Sequence, residues 1–314
     1  MGSLKVLVTG ATGVVGRRLV PLLVSQGHIV VACCRTPEQR IALERIGAIS
    51  SDADFFSPPS LRRACSGCDA VVNLATHMPS SVSQMIHLSA WKENDRVRRI
   101  GSSNLVDAAL AEGVGRFVQE SFAPVYPDSG DRWIEESTPL RPVRYNRTVL
   151  DAERSASRFT RSGGIGVVLR FAGFYGPDSR FLAEGISQVR KGRAFLPGSP
   201  DAYVSSVTHD DAATAAAAAL TLPAGAYNVV DDEPVTRREY FESLAEALGV
   251  PPPKPLPWWT KWLLGSLGPL LSRSLRISNR KLKAASTWTP SYRSVREGWP
   301  SVVAGLAGRS SAAA

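Results

Sequence analysis

The sequence predicts an α/β protein whose core is a doubly wound parallel sheet. Three observations carry that expectation. Short apolar runs rich in β-branched residues alternate with amphipathic stretches, and three glycines at three-residue spacing follow the first run. Hydrophobic residues make up 44% of the 314 positions and charged residues 21%, the balance of a globular chain that buries a large core.

The elements follow in order. Leu4–Val8 is an apolar run of the kind a parallel sheet buries on both faces. Gly10, Gly13 and Gly16 come next, in TGATGVVG. Glycines so placed serve a tight turn, a close approach of backbone to a pyrophosphate, and a close helix–strand contact, with the helix N-terminus facing the phosphates. A second strand, His28–Cys34, ends where a ribose-reading residue is expected. An Asp or Glu there would accept hydrogen bonds from the adenosine 2′-hydroxyl and repel a 2′-phosphate. This chain has Arg35, whose guanidinium forks onto phosphate, with Arg40 as a second contact. The expected cofactor is therefore NADP rather than NAD.

DAVVNLAT, Asp69–Thr76, reads as a third buried strand, and its small C-terminal residues leave room for a cofactor across the sheet edge. A long helical stretch from Met85 to Glu112 precedes GRFVQES, a strand ending at Ser121. After a polar loop rich in Pro and Gly, Tyr145 opens an amphipathic helix with Val149, Ala152 and Ala156 along one side, followed by the strand GIGVVLR. AATAAAAAL is a strong helix former, and no internal repeat is present.

Composition excludes several functions. The formal net charge of +9 comes from scattered arginines rather than runs, with no interleaving of basic and aromatic residues, so an anionic ligand is expected and nucleic acid is not. Cys33, Cys34, Cys65 and Cys68 include one CxxC pair without a second pair or matching histidines, so small apolar packing is expected and no metal. The apolar stretch from Pro257 to Leu271 is broken by Lys261, Gly265, Gly268 and Pro269 and is too short to span a bilayer. Apolar strand residues begin at Leu4, which leaves no signal peptide, and a reduced, cytoplasmic setting is expected for a monomer or homodimer that binds a small molecule and no membrane.

These motifs together resemble the extended or atypical branch of the short-chain dehydrogenase/reductase superfamily, often labelled NAD-dependent epimerase/dehydratase. TGATGVVG matches its TGxxGxxG turn, and DAVVNLA, RFVQESFAPVYP, LRFAGFYGP, SSVTHDD and YNVVDDEPVTRREYFESLAEALG follow in the family's order. The resemblance implies a Rossmann domain over 1–175, to which 206–230 return, and a smaller substrate lobe from 176–205 and 231–314. It implies cofactor contacts from Gly10, Thr12, Gly13, Val14, Val15 and Gly16, from Asp54 and Phe55 around the adenine, and from Leu74, Ala75, Thr76 and Phe171.

The superfamily pairs a tyrosine proton donor with a lysine four residues on and with a serine or threonine. Tyr145 falls at the tyrosine, but Val149 falls on the lysine and Phe122 on the serine, with Ser121 beside it. A phenol needs a neighbouring cation to work near neutral pH. Ser121 and Tyr126 join Tyr145 as catalytic candidates, Glu120 and His77 are further candidate acids, and His77, Phe122, Phe174 and Trp262 are expected to touch substrate. Trp258, Trp259, Trp262, Leu263, Leu267 and Leu271 concentrate apolar bulk that packs the small lobe or forms a greasy cover. The expected activity is NADP-dependent hydride transfer to or from a carbonyl or imine. The alternatives are an epimerase or dehydratase without net redox, and a dinucleotide-binding sensor without catalysis.

Overall fold

The β-branched runs become the strands of one parallel sheet, and amphipathic helices cover both of its faces. The computed structural model describes residues 2–79, 82–257, 259–265 and 267–312; Trp258 lies outside the described residues. The strands are β1 (Lys5–Thr9), β2 (Ile29–Cys33), β3 (Ile49–Ser51), β4 (Ala70–Asn73), β5 (Arg116–Phe122), β6 (Ile165–Phe171) and β7 (Gly225–Val229). They lie in the order β7-β6-β5-β4-β1-β2-β3, every neighbour parallel. The order reverses between β1 and β4, and in such sheets ligands bind beyond the carboxyl ends at that point.

The longer helices, in chain order, are α1 (Gly16–Ser25), α2 (Pro37–Arg45), α3 (Pro58–Cys65), α4 (Ser102–Ala111), α5 (Val149–Arg161), α6 (Arg180–Arg190), α7 (His209–Ala218), α8 (Arg237–Leu248) and α9 (Val295–Ala312). The two-residue period of the strands sorts their side chains between two cores. On one face Val6, Val8, Val72, Val118 and Leu169 pack against Leu19 and Leu23 of α1 and Ala212 and Ala216 of α7. On the other, Leu7, Val71, Phe117 and Val168 meet Leu61 of α3, Leu105 and Ala109 of α4, and Ala156 and Phe159 of α5. Cys65 and Cys68 belong to the second core, where burial pushes the Cys65 thiol up to about 12.

A third apolar cluster, with Leu182 and Ile186 of α6, Phe241 and Leu244 of α8, and Trp299 of α9, stands apart from the sheet cores. A fourth joins Trp91 and Tyr145 to Leu267 and Leu270.

Two expectations need correction. The stretch from Met85 to Glu112 is not one helix. It breaks into a 3₁₀ turn at Leu88–Trp91, a short helix at Lys92–Arg96, a π-helical turn at Val97–Gly101 and then α4. Tyr145 does not lie on the regular helix either. It sits in a 3₁₀ turn, Arg144–Asn146, and α5 begins only at Val149, because the Asn146 side chain accepts the Val143 amide and closes the turn first. The apolar side of α5 is as expected, with Val149, Ala152 and Ala156 all buried.

Candidate active site and cofactor cleft

The glycine turn follows β1 directly. Gly10 has φ +68°, and a methyl group on it would lie 2.5 Å from the Leu74 carbonyl oxygen, so the turn descends between β1 and β4 where a side chain cannot follow. A methyl on Gly16 would lie 2.2 Å from the Gly10 carbonyl oxygen, which is why α1 starts this close to the turn. Thr12 and Gly13 are exposed at the mouth, Val14 is half-buried and Val15 buried. The residues present thus fit a pyrophosphate cradle at the sheet's reversal point. Beneath it, the Thr9 hydroxyl donates to Asn73 Oδ1 (2.6 Å), and Asn73 Nδ2 donates to Gln119 Oε1 (2.9 Å) and Ser102 Oγ (3.2 Å). These bonds lock the carboxyl ends of β1, β4 and β5 to α4.

Arg35 stands just past β2 and Arg40 on α2, both exposed, and the Arg35 amide donates to Gln39 Oε1 (2.9 Å). Asp54 is exposed, and its Oδ1 accepts the Phe56 amide (2.9 Å), while Phe55 packs so closely on Gly101 that a methyl there would lie 2.7 Å from its ring. Ala75 is half-buried, Thr76 and His77 are exposed, and Leu74 and Phe171 are buried. Phe171 stacks at 5.5 Å on half-buried Phe174, which in turn lies 5.4 Å from the ring of buried His209.

Ser121 stands at the end of β5 and Tyr126 just beyond it, as the sequence suggests, but both hydroxyls belong to a buried hydrogen-bond network. Ser121 Oγ donates to Glu153 Oε1 of α5 (2.6 Å), and Glu153 is gripped by Arg170, with Nε to Oε1 at 2.9 Å and Nη2 to Oε2 at 2.8 Å. Arg170 Nη1 also donates to the Tyr126 hydroxyl (2.7 Å), which donates onward to Asn228 Oδ1 (2.8 Å). Burial pushes the Tyr126 phenol up to about 12 against the pull of Arg170. Both hydroxyls are committed to fastening α5, β6 and β7 together.

Tyr145 occupies a different setting. Its ring meets Trp91 edge-on with centroids 4.2 Å apart, and half-buried Phe122, the last residue of β5, joins the same cluster with Leu264, Leu267, Leu270 and Leu271. Tyr145 is 7% exposed, and burial first pushes its phenol up to about 12; Arg98 opposes that push and Glu120 adds to it. Arg98 lies on the π-helical turn, and its Nη2 contacts Glu120 Oε1 at 3.2 Å. Arg98 Nε and Glu120 Oε2 are buried and have no hydrogen-bond partner among the described residues. Arg98 was not among the residues the sequence singled out. A phenol in this setting stays protonated at neutral pH.

Trp262 is 64% exposed on the short helix Thr260–Leu263, with Lys261 over its ring at 5.1 Å. The apolar cover over Tyr145 comes instead from Leu264 to Leu271, since the turn that carries Trp262 and Leu263 faces water. Among the described residues there is no group of His, Cys, Asp or Glu that could hold a metal ion, and no helix is long and apolar enough to cross a membrane.

Residues 6–230 match the model of the NAD dependent epimerase/dehydratase family. A 3-diazoavenalumate denitrifying reductase from Streptomyces sp is 30% identical over 94% of this chain and 99% of its own length. A 2-alkyl-3-oxoalkanoate reductase from Shewanella oneidensis is 26% identical over 87% of this chain and 73% of its own length. The UDP-glucose 4-epimerase of Thermus thermophilus, solved in complex with NAD, is 27% identical over 97% of this chain and 99% of that one, with a TM-score of 0.77.

Proposed function

The chain belongs to the NAD dependent epimerase/dehydratase family, the extended branch of the short-chain dehydrogenases/reductases, and is an oxidoreductase that uses a nicotinamide dinucleotide; from that premise we propose that it reduces a carbonyl or imine of an apolar small molecule with NADPH. One observation carries this reading. Tyr145 is buried in an apolar cluster with Phe122, at the carboxyl end of the sheet that carries the glycine cradle.

When bound, the nicotinamide supplies a hydride. The chain's own residues do the rest. Gly10, Gly13 and Gly16 admit the pyrophosphate, with Thr12, Val14 and Val15 lining the turn. Arg35, aided by Arg40, reads the ribose phosphate. Asp54 and Phe55 bound the adenine, and Leu74, Ala75, Thr76 and Phe171 line the sheet edge. Trp91, Phe122 and the leucines at 264–271 exclude water and favour an apolar substrate. Phe174 and His77 border the substrate side. Tyr145 delivers the proton. Support for reduction comes from the apolar surroundings of Tyr145 and from the two relatives named as reductases.

Calorimetric titration with NADPH, NADP, NADH and NAD, repeated on Arg35→Asp, tests the reading. NADPH should bind tightest, and the variant should lose about tenfold to a hundredfold of that affinity, the worth of one or two charge-assisted hydrogen bonds. Absence of dinucleotide binding at millimolar concentration would end it. With a substrate in hand, stoichiometric consumption of NADPH separates net reduction from an internal redox cycle.

A further inference from the structure

A buried charge needs a counter-charge or a close set of dipoles to offset its desolvation. Among the described residues three arginines are buried, and two of them meet a carboxylate: Arg98 faces Glu120 at 3.2 Å and Arg170 faces Glu153 at 2.8 Å. Arg237, at 4% exposure, forms no ion pair among the described residues and donates only to backbone carbonyls. We propose that Arg237 anchors a second ligand site, beside the third apolar cluster and apart from Tyr145, that takes a monocarboxylate with an apolar body. The proposal goes beyond the reductase reading and does not depend on it.

Three observations converge. Arg237 opens α8 and lines an open cavity of about 500 Å³, together with Phe241 one turn further on. Leu196, Leu256 and Pro252, Pro253 and Pro255 extend the apolar wall, and prolines offer no N–H, which leaves the charged side chains to recognise an anion. Second, the guanidinium is fixed in place. Its Nη1 donates to the Ser199 carbonyl and its Nη2 to the Leu271 carbonyl, both at 2.8 Å, and a methyl on Gly198 would lie 2.8 Å from Nη1. Third, the remaining donor, Nε, is buried without a partner among the described residues, and such an atom is costly until something accepts its hydrogen. Burial lowers the Arg237 guanidinium to about 10, with Asp128 opposing. Two more charged residues line the cavity: Arg238, exposed and tied to Asp201 at 3.2 Å, and exposed Glu242.

The walls select the ligand. A carboxylate oxygen accepts well from Nε and supplies the single negative charge that Arg237 lacks. A phosphate dianion would bring a second charge and more lone pairs than the one unpartnered donor satisfies, beside walls made mostly of carbon. The apolar body rests against Leu196, Phe241 and Leu256. Arg237 also holds the carbonyl of Leu271, the last of the leucines clustered with Tyr145, which joins the two sites through one side chain.

The test is calorimetric titration of the full chain, without dinucleotide, using 4-phenylbutyrate as the probe and uncharged 4-phenylbutyramide as the control. The acid should bind with one copy per chain, and the amide about tenfold to a hundredfold more weakly, the worth of one charge-assisted hydrogen bond. Arg237→Met should abolish the difference between the two probes. Glu242→Gln, at an exposed position, should tighten the acid and leave the amide unchanged. The proposal is overturned if the acid does not bind at millimolar concentration, if acid and amide bind equally, or if Glu242→Gln moves both probes alike. Displacement of the acid by equimolar inorganic phosphate would also overturn it, since the apolar walls would then contribute nothing. If Arg237→Met fails to fold, Glu242→Gln and the phosphate competition decide the matter by the same rules. Tyr145→Phe should bind the acid unchanged, and loss of binding there would place the probe in the Tyr145 cluster instead. A chain that binds the acid but no dinucleotide would fail as a reductase and keep this site, so the two failures are distinct.

Discussion

Glu153 and Arg170 face each other across the α5–β6 contact through two nearly parallel hydrogen bonds of 2.9 and 2.8 Å, with both side chains shut away from water. Removing one partner of such a pair leaves a buried charge uncompensated. Glu153→Ala should therefore cost about 3–5 kcal/mol, measured by urea unfolding, since Arg170 would then lack a counter-ion. Ser121→Ala, which removes only a hydroxyl donated to Glu153, should cost about 1 kcal/mol and leave dinucleotide affinity unchanged. A loss of turnover in that variant with the fold intact would return Ser121 to the catalytic candidates.

Gly10 offers a sharper test of the cradle. Gly10→Ala places a methyl 2.5 Å from the Leu74 carbonyl oxygen at a residue with φ +68°, so the turn must shift away from β4. Calorimetry should show dinucleotide binding lost, and circular dichroism should show the sheet retained.

Tyr145→Phe should keep the fold, because the ring rather than the hydroxyl carries the contacts with Trp91 and the surrounding leucines. Dinucleotide affinity should be unchanged. Turnover of a carbonyl or imine substrate should fall by about 10²–10⁴, the range for loss of a general acid. Steady-state kinetics with NADPH would check it, and full activity would discard Tyr145 as the proton donor.

Stability should depend on pH from both sides. Burial, with Asp211 second, raises the Asp231 carboxyl well above the usual carboxylate range. A raised folded-state pKa means that its stabilising effect is complete below the unfolded value and is lost as pH rises through the folded one. Burial, followed by Arg18 and Arg17, lowers His209 to about 4. Its effect is complete above the unfolded value, near 6.5, and disappears as pH falls toward 4. Thermal unfolding from pH about 4 to about 9 should show Asp231→Asn gaining stability on the alkaline side and His209→Gln flattening the acid side. Parallel curves for wild type and both variants would refute the assignment.

The sheet and its glycine turn were legible because their causes are local: a β-branched run reads as a strand wherever it falls, and Gly10 and Gly16 are required by contacts within their own turn and the adjacent strand. The catalytic end was less so. DRVRRIG offers three arginines with equal local claims, and only the π-helical turn and Glu120, 22 positions away, select Arg98. Ser121 and Tyr126 stand at a strand end in the sequence, yet their partners Glu153, Arg170 and Asn228 come from three separate elements. Trp262 shows that apolar bulk alone does not say which side of a short helix meets water.

The arginines at the head of α1 are already neutralised from within. Arg17 and Arg18 both contact Asp178, Arg18 at 2.6 Å, and Arg18 Nε meets Asp210 at 2.6 Å. A pyrophosphate entering the turn therefore meets backbone amides and a nearly balanced set of fixed charges rather than a basic patch. Ionic strength, which screens charges beyond about 10 Å at 0.1 M, has little there to weaken. If, as proposed, exposed Arg35 discriminates between dinucleotides, added salt should erode a preference for the 2′-phosphate while the grip common to both cofactors persists.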